Sequence, residues 1–309
     1  MFEVCPNSWR HFLIGSQPGG RLFNVWELRV MTFNMWFGGH SGGQQLEQSA
    51  EVVRAARADV VGIQEGSRFP AGEFPDDAAA MAELLGWHYV AQGRNRAIMS
   101  RYPIVEQTPK RWGARVGVPN ADVWVFNTHF AHAPYQPFQL LSISYANAAF
   151  LDSAEAAVAA ASDARAKHAA EMLEEIRAAS AEATVFVTGD FNEPSSLDWT
   201  SAAATAGLCP MAVEWPTANL FYENGFVDTF RHVHPDPVTS PGCTWTCTTA
   251  PDDPNDHHDR IDFVLCRGGA GLRIVSSEIV GENAAFSDIV VSPYPSDHRT
   301  LVSEIHMLT

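Results

Sequence analysis

The sequence predicts a layered α+β fold, a two-sheet sandwich flanked by helices. Short β-branched and apolar runs recur from Leu28 onward, and several are apolar on both faces, as in buried strands. Helical patterns lie between some of these runs. The chain has 309 residues, 46% of them hydrophobic, which favours one large domain.

The individual elements follow from these patterns along the chain. Gln44–Ala58 is a predicted helix because its apolar residues share one face, and Ser153–Ala179 is a predicted Ala-rich helix with an apolar stripe. Residues 1–27 show neither helical nor strand periodicity, so we predict an N-terminal extension that carries no functional residues. A single domain is predicted over residues 28–309. The predicted strands are Leu28–Met35, Val60–Gln64, Arg96–Ser100, Val123–Thr128, Val185–Thr188, Ile261–Leu265, Ile289–Val291 and Thr300–Ile305.

The charge balance and the cysteines narrow the class of protein. The 20 basic and 36 acidic side chains give a formal charge of −16, and a surface this negative repels a polyanion unless a basic stripe offsets it locally. Five scattered cysteines do not form the paired framework of a small secreted domain, so reduced thiols are predicted. The N-terminal residues lack the apolar core of an export signal, and no apolar run approaches a membrane span, which predicts a cytoplasmic protein.

Polar residues stand at the ends of predicted strands, where a rigid scaffold presents functional groups. Asn34 lies in the first strand, and its structural alternative is a buried amide bonded to backbone. Glu65 ends the second strand with no basic residue before Arg68. A bound cation would relieve the cost of burying this carboxylate, and a glutamate facing water is the alternative. His129 ends a further strand, where a lone histidine is more often structural than catalytic.

The strongest single motif follows the predicted strand Val185–Thr188. Gly189 lets the backbone turn tightly, and Asp190 and Asn192, two residues apart, present a carboxylate beside an amide. An Asx-turn is the structural alternative. A last group combines aspartates near residue 260 with a Ser-Asp-His run near the C-terminus. Carboxylate and imidazole together can form a dyad, in which the carboxylate orients the ring and favours its charged form.

In this order, the runs NMW, IQE, NTH, GDFN, RID and SDH resemble the motifs of the endonuclease/exonuclease/phosphatase superfamily, over residues from about 28 to 305. The resemblance implies a deoxyribonuclease-like, four-layered α/β sandwich of two packed mixed sheets, with a metal-dependent phosphoesterase site at one edge. On this match, Asn34 and Glu65 form the metal end of the site. His129 contacts phosphate or acts as acid or base, and Asp190 and Asn192 position the nucleophile.

Asp262, Asp297 and His298 complete the resemblance, and Asp297 is assigned to the metal with the first two motifs. Either Asp259 or Asp262 can be the partner of His298. The run Asp259-Arg260-Ile261 resembles the motif of one subgroup of the superfamily, and Arg260-Ile261-Asp262 resembles that of another. We favour Asp262, since it lies within an apolar strand, whereas Asp259 follows a hydrophilic loop.

A mechanism follows from the chemistry of these side chains. Hard carboxylate and amide oxygens select Mg²⁺ or Mn²⁺ over zinc, with Glu65 as the first-choice ligand. Asp190 is expected to orient or deprotonate the attacking water, and Asn192 to hydrogen-bond a phosphoryl oxygen. His298, oriented by Asp262, is expected to stabilise the phosphorane, and the formal base is left open between Asp190 and His298. The motifs contain no serine or cysteine nucleophile, which favours direct attack by water.

Three functions are compatible with these residues. A hydrolase of small or soluble phosphomonoesters or phosphodiesters is favoured by the net charge and by the acidic loop Pro251–Asp262. A nuclease acting on DNA or RNA is the alternative, because Arg94–Arg115 carries six basic residues against Glu106 alone. Part of that stretch is equally explained as a charged strand edge. A non-catalytic binding module on the same fold is disfavoured by the complete set of motifs. No protein partner is inferable.

The segment that follows the NTH motif is rich in aromatics. Pro134 and Pro137 are expected to keep it from forming a helix or a regular strand, so its aromatics are not explained as one periodic core face. We predict that Tyr135 and Phe138 wall a pocket for an apolar or aromatic part of the leaving group, with His132 as a second phosphate contact. Packing of these rings back onto the sandwich is the alternative.

Overall fold

The structure is a computed structural model that describes residues 25–68, 73–93, 95–180 and 183–308. These residues form thirteen strands and seven helices. The strands are β1 (Val25–Asn34), β2 (Val60–Gln64), β3 (His88–Gly93), β4 (Arg96–Ser100), β5 (Ile104–Gln107), β6 (Gly113–Val118), β7 (Ala121–His129), β8 (Val185–Asp190), β9 (Val227–Asp228), β10 (Asp262–Arg267), β11 (Leu272–Gly281), β12 (Ile289–Val290) and β13 (Thr300–Leu308). The helices are α1 (Leu46–Ala55), α2 (Asp77–Leu85), α3 (Gln136–Leu140), α4 (Ala154–Ala179), α5 (Ser201–Thr205), α6 (Pro216–Tyr222) and α7 (Thr229–Val233).

Two mixed sheets pack face to face. One has seven strands in the order β12-β11-β13-β1-β2-β4-β3, and the other has six in the order β5-β6-β7-β8-β10-β9. An apolar core lies between them, in which Leu28, Val60 and Ile98 of the first sheet pack with Val125 and Val264 of the second. Removing both inner faces from water is the main favourable contribution that holds the sheets together.

Helices cover the outer face of each sheet. α1 and α2 bury Val53 and Met81 against the seven-stranded sheet. α4 and α6 bury Ile176 and Phe221 against the six-stranded sheet. The result is a four-layered α/β sandwich, and the predicted fold class is confirmed.

Local patterns located part of this secondary structure correctly. All eight predicted strands and both predicted helices are present, with some ends shifted. β1 begins at Val25 rather than Leu28, and residues 1–24 of the predicted extension lie outside the described residues. β3 and β5 escaped prediction because most of their residues are exposed or half-buried, and β6 because it contains two glycines, which are depleted in strands.

The prediction that prolines exclude a helix after the NTH motif is wrong. α3 includes Pro137 in its first turn. A proline at this position loses no intrahelical hydrogen bond, because the first N–H groups of a helix have no partner within it.

The directions of the strands bring the predicted site residues to one edge of the sandwich. β1 and β2 run parallel, so Asn34 and Glu65 stand together at their carboxyl ends. β7 and β8 are also parallel and pair His129 with Asp190. β10 runs antiparallel to β8 and begins with Asp262 opposite Asp190.

The described cysteines are unpaired, in agreement with the prediction of reduced thiols. Cys209, Cys243, Cys247 and Cys266 are free, and Cys5 lies outside the described residues. Within the described ranges, no helix has both the length and the apolar character needed to cross a membrane.

Candidate active site

Asn34 connects the ends of the two sheets. Its buried side-chain amide donates to Asp190 Oδ2 at 3.0 Å and to Glu65 Oε1 at 3.4 Å. Its Oδ1 accepts a hydrogen bond from the backbone N–H of Trp36 at 3.0 Å. The amide therefore has the backbone partner of the structural alternative, and it also joins a predicted catalytic carboxylate, Asp190, to a predicted metal ligand, Glu65.

Asp190 and Asn192 form a rigid turn at the end of β8. The backbone N–H of Asn192 donates to Asp190 Oδ1 at 2.9 Å, so the Asx-turn of the structural alternative is present. Asn192 has a φ of 51°, in the left-handed region, and its side-chain amide donates to the Phe130 carbonyl at 3.2 Å. An amide nitrogen carries two N–H donors, and this contact uses one of them.

His298 and Asp262 form a buried dyad. The Nδ1 of His298 lies 2.9 Å from Asp262 Oδ2, and its Nε2 lies 3.7 Å from Asp190 Oδ2. Burial alone would lower the pKa of His298, but the carboxylates of Asp262, Asp190 and Asp297 outweigh it and hold the pKa well above the usual range. The imidazole is therefore charged at neutral pH.

Asp190 is the buried carboxylate next to that cation. Burial raises its pKa to about 7, with the charge of His298 opposing the shift and that of Asp262 adding to it. A carboxylate that titrates near neutrality can both accept and release a proton, which is the property of an acid–base catalyst.

Glu65 and Asp297 have the properties of a cation site. Buried oxygens of both side chains, Glu65 Oε2 and Asp297 Oδ1, have no hydrogen-bond partner in the described structure. Burial raises the pKa of both carboxyl groups. The charge of Asp297 also raises the pKa of Glu65, and the charge of Asp262 also raises the pKa of Asp297. Unpartnered carboxylate oxygens that repel one another are stabilised by a hard divalent cation, so these residues fit the predicted metal.

A second set of ligand atoms is also close together. Asp190, Asp262 and His298 each place one potential ligand atom within 4.8 Å of the other two. A cation there would compete with the hydrogen bond between His298 and Asp262. The unpartnered oxygens of Glu65 and Asp297 therefore favour the metal at their end of the site.

His129 faces the same cluster as a neutral ring. Its Nε2 lies 3.4 Å from Asp190 Oδ2 and 3.9 Å from Glu65 Oε1. Burial, together with the charges of His298 and Arg96, lowers the pKa of His129 to about 3, so the short distance to Asp190 is not an ion pair at neutral pH. Nε2 also makes no hydrogen bond in the described structure. This nitrogen is buried and faces the carboxylates without a hydrogen bond.

The predicted leaving-group wall is largely packed inside the protein. Tyr135 and Phe138 are 2% and 6% exposed, and both rings pack against Trp245. The hydroxyl of Tyr135 donates to Asp259 Oδ2 at 2.6 Å. The packing alternative therefore describes these two rings, and neither presents a face to a substrate. His132 is exposed and remains a predicted phosphate contact.

The contacts of Asp259 also bear on the choice of dyad partner. Asp259 is buried and accepts hydrogen bonds from Tyr135 and from the indole N–H of Trp199, the latter at 2.8 Å. Asp262 contacts His298 instead. The structure thus places the favoured aspartate of the two in the dyad.

Two site residues were not identified from the sequence. The indole N–H of Trp245 donates to Asp297 Oδ2 at 3.3 Å, and its ring centroid lies 6.2 Å from that of His298. The hydroxyl of Ser296 donates to the Asn34 carbonyl at 2.7 Å and accepts from the His298 N–H at 3.0 Å. Ser296 could have been suspected from its place in the SDH run. Trp245 lies in a Thr/Cys-rich loop without periodicity, which carries no signal of its own.

A four-layered sandwich with a buried carboxylate, amide and imidazole site at one edge defines the deoxyribonuclease-like class of folds. A family model described as the Endonuclease/Exonuclease/phosphatase family matches residues 31–298, and the chain belongs to this family. Its members are hydrolases that act on phosphoester bonds and depend on a divalent metal.

Three relatives illustrate the similarity. An uncharacterized protein of Caenorhabditis elegans, F14F9.5, is 26% identical over 303 residues, which cover 90% of both chains. An endonuclease/exonuclease/phosphatase from Beutenbergia cavernae superposes with a TM-score of 0.55 at 20% identity, covering 91% of this chain and 72% of its own. The 3′ phosphatase NExo from Neisseria, solved with a product DNA hairpin, superposes with a TM-score of 0.57 at 18% identity, covering 89% and 98%. At these identities the solved structures show the shared fold.

Proposed function

We propose that this protein is a Mg²⁺- or Mn²⁺-dependent phosphoesterase that hydrolyses small or soluble phosphomonoesters or phosphodiesters by direct attack of water. The observation that carries the proposal is the juxtaposition of the His298–Asp262 dyad with Asp190, 3.7 Å away, and with unpartnered carboxylate oxygens on Glu65 and Asp297.

The metal end is assigned to Glu65 and Asp297, with Asn34 holding Glu65 through its amide N–H. When bound, a divalent cation would neutralise charge on the phosphate and stabilise the leaving oxygen. Trp245 holds the other oxygen of Asp297 and so orients this carboxylate.

Asp190 and His298 divide the proton chemistry. His298 already carries its proton at neutral pH, because three carboxylates stabilise the imidazolium, so it acts as a donor to the phosphoryl oxygens. Asp190, with a pKa of about 7, is the group that accepts a proton from the attacking water. The second N–H of the Asn192 amide and the neutral His129 are further donors to the phosphate.

Small substrates are favoured by the charge distribution. Part of the basic stretch that supported a nuclease is paired with carboxylates: Arg101 pairs with Asp59 at 2.9 Å, and Arg115 pairs with Asp122 at 2.6 Å. Lys110 lies 3.7 Å from Glu174, and Arg94 lies outside the described residues. The formal charge of −16 disfavours the binding of a long phosphate backbone. Free thiols support the proposed cytoplasmic location.

The test is a hydrolysis screen with Mg²⁺ or Mn²⁺ over nucleotides, sugar phosphates, lipid phosphates and plasmid DNA, each with an EDTA control. Preferential turnover of soluble esters is expected. Cleavage of DNA at a higher kcat/KM than that of any soluble ester would favour the nuclease. The Neisseria relative, solved with a product DNA hairpin, is the reason to include DNA in the screen. Turnover at the wild-type level in Asp190→Asn would remove Asp190 from the proposed mechanism. Binding of substrates without turnover would support the non-catalytic module.

A further inference from the structure

A continuous aromatic layer leads from the site to the surface. It begins at Trp245, which holds Asp297, and continues through Phe138, whose ring centroid lies 5.7 Å from that of Trp245. Tyr145 packs edge-on against Phe138 at 5.8 Å and against His132 at 6.4 Å. Tyr135 and Phe138 are buried within the layer, whereas Tyr145 is half-buried and stands at its solvent side.

The loop that carries Tyr145 has a constrained backbone. Ser142, Ala146 and Asn147 have φ values of 60°, 51° and 55°, in the left-handed region that side-chain-bearing residues rarely adopt. Each such residue costs of order 1 kcal/mol or more, and such residues concentrate at ligand-binding sites. A backbone hydrogen bond holds the end of the loop against α3, since the Leu151 N–H donates to the Gln139 carbonyl at 3.0 Å.

The same loop lines an open cavity of about 320 Å³, formed by Ser144, Tyr145, Ala146, Asn147 and Ala148. This volume lies at the lower end of the range of small-molecule sites. The lining combines an aromatic ring and two alanines with a hydroxyl and an amide. Such a surface suits a ring with a polar edge better than a second phosphate, because no basic side chain lines it.

Tyr145 also lies within the electrostatic field of the site. Burial raises the pKa of its phenol, and the charges of Asp190, Glu65 and Asp297 raise it further. Its hydroxyl makes no hydrogen bond to any residue that the structure describes. The Tyr145 phenol is half-buried, lies near the carboxylates of the candidate site and has a hydroxyl without a hydrogen-bond partner among the described residues. It is therefore placed to contact a bound substrate.

We propose that the loop of residues 142–148 forms the leaving-group subsite, in which the ring of Tyr145 packs against a ring-bearing alcohol of the phosphoester substrate. This inference rests on the proposed phosphoesterase activity and names the class of substrate for that site. It transfers the role predicted for Tyr135 and Phe138 to the exposed end of the layer that they support.

The experiment compares benzyl and ethyl esters of phosphate, and of methyl phosphate, with Mg²⁺ or Mn²⁺. The leaving alcohols of each pair are similar in acidity, so the ratio of their kcat/KM values reports recognition of the ring. Tyr145→Ala is expected to lower the benzyl-to-ethyl ratio about tenfold, the upper range of one aromatic contact. Tyr145→Phe should keep the ratio, because it keeps the ring. Phe150→Ala is the matched control, since this residue lies in the same connection and is 53% exposed.

The outcomes separate this inference from the proposed function. Suppose that the wild-type protein hydrolyses both esters and that Tyr145→Ala lowers the two kcat/KM values equally or leaves both unchanged. The proposed subsite is then wrong, and the proposed phosphoesterase activity is retained. The same conclusion follows if Phe150→Ala shifts the ratio as much as Tyr145→Ala. If the wild-type protein hydrolyses none of these esters nor any substrate of the wider screen, both proposals fail.

Discussion

Replacing Asp190 by asparagine should stabilise the metal-free protein while abolishing most of its activity. Burial raises the pKa of Asp190 from its usual 3.8 to about 7. Between these values the folded state binds more protons than the unfolded state, so the stability of the wild-type protein falls as pH rises through this window. Above pH 7 the ionised carboxylate therefore destabilises the fold by about 4 kcal/mol.

Asparagine removes that charge, and its own cost in stability is smaller. In the wild-type protein the Asn34 amide donates to Asp190 Oδ2 at 3.0 Å. In the variant an N–H donor of the new amide conflicts with the existing hydrogen bonds, which costs about 1–2 kcal/mol. The net gain in the free energy of unfolding is therefore roughly 2–3 kcal/mol at pH 8. Well below the unfolded pKa of 3.8 the aspartate is protonated in both states, and the gain should disappear. The kcat of the variant should fall by roughly 10²–10⁴, because the acid–base group is lost.

The assay is urea unfolding followed by tryptophan fluorescence at pH 4, 6 and 8, with EDTA throughout so that no cation compensates the carboxylates. The wild-type protein should lose stability between pH 4 and pH 8 relative to the variant. A difference between the two proteins that does not change with pH would refute the raised pKa of Asp190. Wild-type turnover by the variant would refute its catalytic role.

Three further perturbations address other parts of the molecule. Chelation by EDTA should abolish activity, with recovery on adding Mg²⁺ or Mn²⁺, and Glu65→Gln should raise the cation concentration needed; an unchanged metal titration would remove Glu65 from the site. His298→Ala should lower kcat by roughly 10²–10⁴, and combining it with Asp190→Asn should give much less than the product of the single effects, which steady-state kinetics of the double mutant will measure. Arg165→Met should lower the free energy of unfolding by about 3–5 kcal/mol, because it leaves Glu193 buried without its ionic partner; a loss below about 1 kcal/mol in urea unfolding would contradict this.

Much of the fold is encoded in local patterns. The strands Val60–Gln64 and Arg96–Ser100 were predicted to the residue, because continuous apolar runs between turn signals are typical of buried strands. α2 was missed although Asp76 caps its first turn and Gly86 ends it in the left-handed conformation. β11 was missed although it forms a ladder with β13. Such pairing between residues far apart in sequence leaves little local signal.

The sequence by itself determined the family, and its motifs predicted the candidate site residues from Asn34 to His298. Only the tertiary structure decided which side chains face each other: Asp262 rather than Asp259 contacts His298, and Tyr145 rather than Tyr135 reaches the solvent side of the aromatic layer. It also decided protonation, since a neutral His129 and a charged His298 differ in burial and in the carboxylates around them. Distances and desolvation arise when strands distant in sequence pack together, so they are absent from any local pattern.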